Sequence, residues 1–326
     1  MTLLSVRNLT THYQTAGAPV RAVDGVSFDL APGEILGLVG ESGCGKTTVG
    51  FSLMRLLPPA AQTVQGEILF EDQNLLAKTA DQMRALRGNR IAMIFQDPMT
   101  SLDPSFTIGD QVTEPLREHL GLGRDAARER ALELLTQVGI PAPAERLRRF
   151  PHEFSGGMRQ RVVIAIALAC NPALLICDEP TSALDVTIQA QILALLRALK
   201  REHQGTAILM ITHDLGVVAQ LCHRVAIMYA GQIVEQGPVR DVFASPRHPY
   251  TQGLLDSLPG RVARGAPLRQ IEGTVPDLRH PPAGCRFQPR CGYARPACLL
   301  PPPVVSVGRQ DVACVLYGEE TARVPA

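Results

Sequence analysis

The sequence predicts an α/β fold with a small cysteine-bearing region at its C-terminal end. Three observations carry that expectation. Short apolar strands alternate with helical stretches as far as about residue 255. A glycine-rich turn joins one of those strands directly to a helix. Beyond residue 258 proline and arginine become frequent and periodicity fades.

The strands come in order. GEILGLVG (33–40) is a short apolar strand running into a glycine turn, and KTTVGFSLMRLL (46–57) follows at helical period. Further apolar strands are RIAMIF (90–95), ALLICD (173–178), TAILMIT (206–212) and RVAIMYA (224–230). Between the first two of these lies a helical block, with RDAARERALELLTQVGI (124–140) and then SGGMRQRVVIAIALAC (155–170). After SPRHPYTQGLLDSLPG (245–260) the stretches HPPAG and LLPPPVV mark a change of character, which places a boundary near 258. The domains expected are 1–258, with a helical subdomain over about 97–170, and 259–326. The second is too short and proline-rich to build a generous core alone.

Bulk properties narrow the function. With 326 residues, 45% hydrophobic and 19% charged, the chain has the makings of a sizeable core. A net charge of +1 leaves no electrostatic footprint for nucleic acid, so no nucleic-acid partner is expected. The start, MTLLSVRNLTTHYQ, does not read as a signal peptide, and no apolar run approaches the ~20 residues of a membrane span. The expected location is cytosolic, or peripheral to a membrane through protein partners.

GESGCGKT (40–47) fits G-x-x-x-x-G-K-[ST] between a predicted strand and a predicted helix, the context the motif requires. Gly40, Gly43 and Gly45 let the backbone wrap a phosphate, with Ser42 and Cys44 between them and Thr48 just inside the helix. Successive N–H groups and the helix N-terminus then face the anion. Lys46 would reach the β- and γ-phosphates, and the Thr47 hydroxyl would ligate Mg2+. ALLICDEP ends in two carboxylates: Asp178 would hold Mg2+ through water, and Glu179 would polarise an attacking water as general base.

Four more segments fall in a telling order: FQDPMTSLDP (95–104), FSGGMRQR (154–161), TSALD (181–185) and MITHD (210–214). With the phosphate loop and the Asp-Glu strand, this series resembles the nucleotide-binding subunits of ATP-binding cassette (ABC) transporters, over essentially the whole chain. The resemblance implies a P-loop NTPase core with an antiparallel β subdomain and a helical subdomain. It implies two such subunits closing head to tail around two ATP molecules. Ser155, Gly156 and Gly157 would then meet the γ-phosphate bound by the opposite subunit, and Asp185 would sit at the dimer seam. His213 would contact the γ-phosphate and orient Glu179 and the water; Gln96 would reach Mg2+ or the water. Tyr13 would stack on adenine. Phe154 and Met158 stand where many members carry Leu and Gln, and the Met is usual in the peptide-importer branch.

The phrases HPYTQGLL (248–255) and GCRFQPRC (284–291) resemble the ATP-binding subunits of oligopeptide and dipeptide importers. Partners implied are a second ATPase subunit, identical or not, two transmembrane permease chains and an extracytoplasmic substrate-binding protein, with this chain peripheral on the cytoplasmic face of the inner membrane. Nickel or glutathione import by the same machinery is the alternative. A soluble, non-transport ABC ATPase is a second, and a regulatory module without turnover a third; intact Glu179 and His213 speak against the last.

Cys285, Cys291, Cys298 and Cys314 are spaced C-x5-C-x6-C-x15-C, without the C-x2–4-C knuckle usual for zinc. Four thiolates also suit a [4Fe–4S] cluster, and reduced thiols or a zinc staple remain open. A disulfide is disfavoured in a reducing compartment. The resemblance implies the cluster, since some importer subunits with this tail carry one. Cys170 and Cys177 fall in apolar core patterns and Cys222 at a helix end.

Overall fold

The computed structural model describes residues 2–182, 185–202, 205–258 and 270–318. The expected boundary at 258 opens onto 259–269, which lie outside the described residues, as do Ala183 and Leu184 of the TSALD segment. Packing divides the chain into two compact units. One comprises Met1–Leu3, Leu30–Glu34 and Ala77–Ile211; the other comprises Leu4–Asp29, Ile35–Leu76 and Thr212–Ala326.

The first unit has a parallel sheet at its centre. Leu174–Asp178 lies between Ile91–Ile94 and Ala207–Thr212, with Ile91 opposite Leu174 and Asp178 opposite Ile211. All five residues of Leu174–Asp178 are buried, as expected of a parallel strand covered on both faces, which explains the unbroken apolar run in the sequence. Helices fill the interval between the first two strands. The expected stretches appear as Arg124–Gln137 and Gly156–Leu168. A third, Ile108–Leu120, was not foreseen because Pro115 interrupts it. Its start is well specified: Thr107 Oγ1 accepts the Asp110 N–H at 3.2 Å, and Asp110 Oδ2 accepts the Thr107 N–H at 3.2 Å, a capping box. Ile108, Val112 and Leu116, spaced by four, are fully buried, and this helix packs against the other two.

The second unit holds an antiparallel sheet in the order Val20–Leu30, Leu4–Tyr13, Ala61–Phe70, Gln73–Asn74. A bulge breaks the register after Arg7, where Asn8 turns to φ 48°. Gly66 faces that bulge with φ 109°, and a Cβ there would lie 2.7 Å from the carbonyl oxygens of both Arg7 and Asn8. In the same unit Ile35–Val39 runs parallel to Arg224–Tyr229, which pairs antiparallel with Gln232–Pro238. The tail extends this sheet. Gln310–Ala313 pairs with Gln232–Pro238, and Val304–Val307 with Gln310–Ala313.

The tail also enters the core. Phe287 is buried among Tyr229, Tyr250, Val225, Leu255 and Val39, with Ile271, Val275 and Leu278 packed at the edge. The rings of Tyr229, Tyr250 and Phe287 form a triangle with centroids 4.6, 5.2 and 5.4 Å apart. A proline-rich segment with little periodicity of its own is thus ordered by the core it joins.

His248 begins the helix Pro249–Asp256, its Nδ1 accepting the Tyr250 N–H at 3.0 Å. The N–H groups of Arg247 and His248 donate to the Glu235 carboxylate at 2.8 and 2.9 Å. Burial pushes the imidazole down from 6.5 to about 3, and burial raises Glu235. An unfolded chain takes a proton on this His below about pH 6.5 while the folded one resists until about 3. The stability it contributes is therefore full above 6.5 and is lost as pH falls through that window. Glu235 acts in the opposite sense. His248→Asn, which keeps a capping acceptor, is expected to flatten the fall of melting temperature between about pH 6.5 and 5. An unchanged slope would place the acid sensitivity elsewhere.

Candidate functional site

In the second unit the strand Ile35–Val39, buried throughout, delivers the chain into the loop at Gly40. A Cβ on Gly40 would lie 2.0 Å from the Met228 carbonyl oxygen, and one on Gly45 2.0 Å from the Ala22 carbonyl oxygen. Gly43 and Gly45 take φ of 77° and 103°, which side chains rarely adopt. The glycines are demanded by the backbone path. Lys46 opens the helix Lys46–Met54 and is 5% exposed. Its ammonium donates back to the carbonyls of Gly40 at 2.8 Å and Glu41 at 3.0 Å, drawing the loop into a ring around itself. Ser42 is exposed, and Thr47 is half-buried at the helix start. Cys44 is buried, its thiol pushed up by burial, so it is no ready thiolate. Tyr13 ends its strand with its hydroxyl sharing a hydrogen bond with Thr48 Oγ1 at 3.2 Å. His213 is exposed just past the strand Ala207–Thr212, ahead of Asp214, which caps the helix Leu215–Leu221.

In the first unit Asp178, 1% exposed, ends the central strand. Glu179 follows at φ 45°, a left-handed turn rare for a residue with a Cβ and common at functional sites. Its N–H donates to the Ile211 carbonyl at 2.8 Å, and its Oε2 accepts the Gln96 Nε2–H at 3.2 Å. Gln96 and Glu179, 83 residues apart, are thereby brought together. Ser155 caps the helix Gly156–Leu168, accepting the Met158 N–H at 3.4 Å, and leaves that helix start exposed. Gly157 is needed for packing: a Cβ there would lie 2.8 Å from Ile188 Cγ2. Asp185 accepts the N–H groups of Thr187 and Ile188 at 3.1 and 3.0 Å, so it begins the helix Val186–Glu202. Phe154 is buried, as an apolar replacement for Leu should be, with the Arg146 guanidinium 5.5 Å from its ring.

A glycine loop before a helix, a strand-end carboxylate pair and a capped, exposed glycine helix start are the features expected of an ATP-hydrolysing cassette. Comparison with known proteins agrees. The family model described as "ABC transporter" matches residues 23–182, and "Oligopeptide/dipeptide transporter, C-terminal region" matches 234–298. The dipeptide transport ATP-binding protein DppD of Bacillus subtilis is 53% identical over 97% of this chain and 95% of its own length. The chain belongs to the ABC transporter family. The oligopeptide transport ATP-binding protein OppD of Bacillus subtilis is 54% identical over 90% of this chain and 82% of its own. Among solved structures, the dimeric ATP-binding cassette MJ0796 in a post-hydrolysis state with ADP and Pi superposes with TM-score 0.65. It is 28% identical and covers 73% of this chain and 99% of its own. This ABC chain has the cassette fold and is an ATPase whose turnover is coupled to transport.

The four tail cysteines of this ABC chain line one small cavity, together with His248 and Tyr293. Burial raises the thiols of Cys285 and Cys291 and pushes Cys314 up to about 11, each further raised by neighbouring cysteines. Among the described residues, however, no three His, Cys, Asp or Glu side chains are grouped so as to hold a metal ion. Cys170 and Cys177 are buried as expected, and burial drives the Cys222 thiol to about 12.

Three residues near the loop escaped the sequence reading. Glu41 occupies a variable position of the motif, and Tyr250 and Arg290 lie in HPYTQGLL and GCRFQPRC, phrases that marked the branch without suggesting a contact. The Tyr250 hydroxyl accepts the Glu41 N–H at 3.0 Å, and Arg290 pairs with the Glu41 carboxylate at 2.9 Å.

Proposed function

We propose that the chain is the ATP-hydrolysing subunit of a membrane importer for di- and oligopeptides. One observation carries the cargo: identity above one half to dipeptide and oligopeptide transport ATP-binding proteins extends over at least 90% of the chain, and residues 234–298 match the model described as the C-terminal region of oligopeptide/dipeptide transporters. The test is uptake of a labelled dipeptide into proteoliposomes holding the chain with its cognate permease chains and substrate-binding protein. ATP-dependent accumulation is expected. Uptake of nickel or glutathione in its place would overturn the cargo, and an ATPase active without any permease in the cell would favour a non-transport role.

The residues divide the work. Gly40, Ser42, Gly43, Cys44, Gly45, Lys46, Thr47 and Thr48 bind the triphosphate through loop N–H groups, the ammonium and the helix start. Tyr13 is assigned to the adenine. Thr47, Gln96 and Asp178 carry oxygen donors suited to Mg2+, which when bound neutralises phosphate charge. Glu179 accepts the proton of the attacking water, Gln96 orients its carboxylate, and His213 is assigned to the γ-phosphate. Ser155, Gly156, Gly157 and Asp185 are assigned to the partner subunit's nucleotide, the helix start offering N–H groups and its positive end.

The partners follow from this reading: a second ATPase subunit, two permease chains and an extracytoplasmic binding protein. No described helix is long and apolar enough to cross a membrane. Attachment through the permease, on the cytoplasmic face, is part of the same proposal. The chain is read as a nucleotide-binding domain, 1–258, with a C-terminal addition, 259–326. Cys285, Cys291, Cys298 and Cys314 match a four-thiolate donor set in number and type and line one cavity, but in this structure they are not drawn close enough together to hold a metal. They are assigned to a [4Fe–4S] cluster, with zinc as the alternative. Bound there, it would order the tail by coupling metal binding to folding. Chain purified without oxygen should carry near four iron and four sulfide, and lose them on Cys285→Ser. Stoichiometric zinc would make the site a redox-inert staple, and a metal-free chain would leave four thiols.

A further inference from the structure

Arg290, in the tail, directs its guanidinium at the phosphate loop of the same unit. Nη1 donates to Glu41 Oε2 at 2.9 Å and Oε1 at 3.3 Å, and to the Tyr229 hydroxyl at 3.3 Å. Nε donates to the Glu272 carbonyl at 2.9 Å and Nη2 to the Ile271 carbonyl at 3.1 Å. The guanidinium carbon stands 5.7 Å from the Tyr229 ring centroid and 5.9 Å from that of Phe287. The Arg290 side chain is 6% exposed and that of Glu41 25%. All three guanidinium nitrogens thus donate, and the orientation of the group is over-determined.

Glu41 is the second residue of the loop, and three groups hold it. Tyr250 takes its N–H, Lys46 donates to its carbonyl at 3.0 Å, and Arg290 takes its carboxylate. Two of the three come from beyond residue 245. A carboxylate in this loop is out of place on charge alone, because the loop receives a triphosphate. Left unpaired, it would repel the incoming anion and draw Lys46 toward itself.

We propose that Arg290 is a positioning residue for ATP binding: by neutralising and anchoring Glu41, it lets the C-terminal tail set the affinity of the phosphate loop for nucleotide. The proposal rests on the reading of residues 40–47 as the ATP site. It differs from a purely structural staple, which would cost stability without a charge-specific effect on nucleotide.

The test is steady-state ATP hydrolysis and binding of a fluorescent ATP analogue by the full chain, comparing Arg290→Met, Glu41→Gln and the double variant with the unaltered protein. Arg290→Met should raise the KM for ATP about tenfold with kcat within about twofold, and weaken analogue binding in parallel. Adding Glu41→Gln should bring KM back to within about threefold of the starting value, since the unpaired charge is gone. A KM that does not move, or a rise that Glu41→Gln leaves in place, would overturn the proposal. Should Arg290→Met not fold, the same comparison with Arg290→Gln, alone and with Glu41→Gln, decides on the same criteria. An unaltered chain that neither binds nor hydrolyses ATP would instead sink the reading of the loop.

Discussion

Replacing Glu179 with Gln is expected to lower ATP turnover by about 10²–10⁴-fold while ATP binding persists. The substitution keeps size, shape and an oxygen acceptor for the Gln96 amide, which lies 3.2 Å from the carboxylate. It removes only the capacity to take a proton. The backbone at Glu179 is held at φ 45° by its N–H bond to Ile211 and by Ser182, whose N–H and hydroxyl both donate to its carbonyl. These bonds do not involve the side chain, so the variant should fold like the parent. The measurement is single-turnover hydrolysis beside equilibrium binding of ATP. Accumulation of an ATP-bound dimer is the companion result expected. Turnover at the parent rate would remove Glu179 from the role of base.

Lys46→Ala is expected to abolish measurable ATP binding, a loss of about 100-fold or more. Two effects add. The triphosphate loses its nearest assigned cation, and the carbonyls of Gly40 and Glu41 lose their common donor. A loop that Lys46 draws around itself would then relax, so the cost exceeds that of one charge. Lys46→Arg cannot repair it, because a planar guanidinium has no room where the ammonium is 5% exposed and already reaches two carbonyls. Calorimetric titration with ATP reads the loss, and a melting curve shows whether the fold persists. Binding within a few-fold of the parent would show that the loop N–H groups alone hold the phosphates.

Local backbone features were legible in the sequence because their constraints are local. Gly40, Gly43 and Gly45 are fixed by backbone path, and Leu174–Asp178 by burial on both faces, so motif and strand were located within a residue or two. The first sheet was not located residue by residue, since the bulge at Asn8 breaks the alternation that would reveal Leu4–Tyr13. Ile108–Leu120 was hidden by Pro115. The tail strands have no periodicity of their own to find; their pairing is supplied by Gln232–Pro238. Family resemblance implied only that Gln96 reaches Mg2+ or the water; neither its hydrogen bond to Glu179 nor the grip of Arg290 on Glu41 was legible. Spacing within a motif carries no information about a partner 249 positions away.

That separation bears on how the protein comes into being. A ribosome delivers the phosphate loop early and its anchors late, with residues 77–211, which belong to the other compact unit, synthesised in between. Until Tyr250 and Arg290 emerge, Glu41 lacks two of its three holders. The unit containing the loop therefore closes over contacts of long sequence separation, which form slowly. During synthesis the growing chain should be a poor nucleotide binder and an open target for proteases and chaperones. On the proposed role of Arg290, full affinity for ATP then arrives only once the segment carrying Arg290 has been made, so that a chain interrupted before it should also be one that binds ATP weakly.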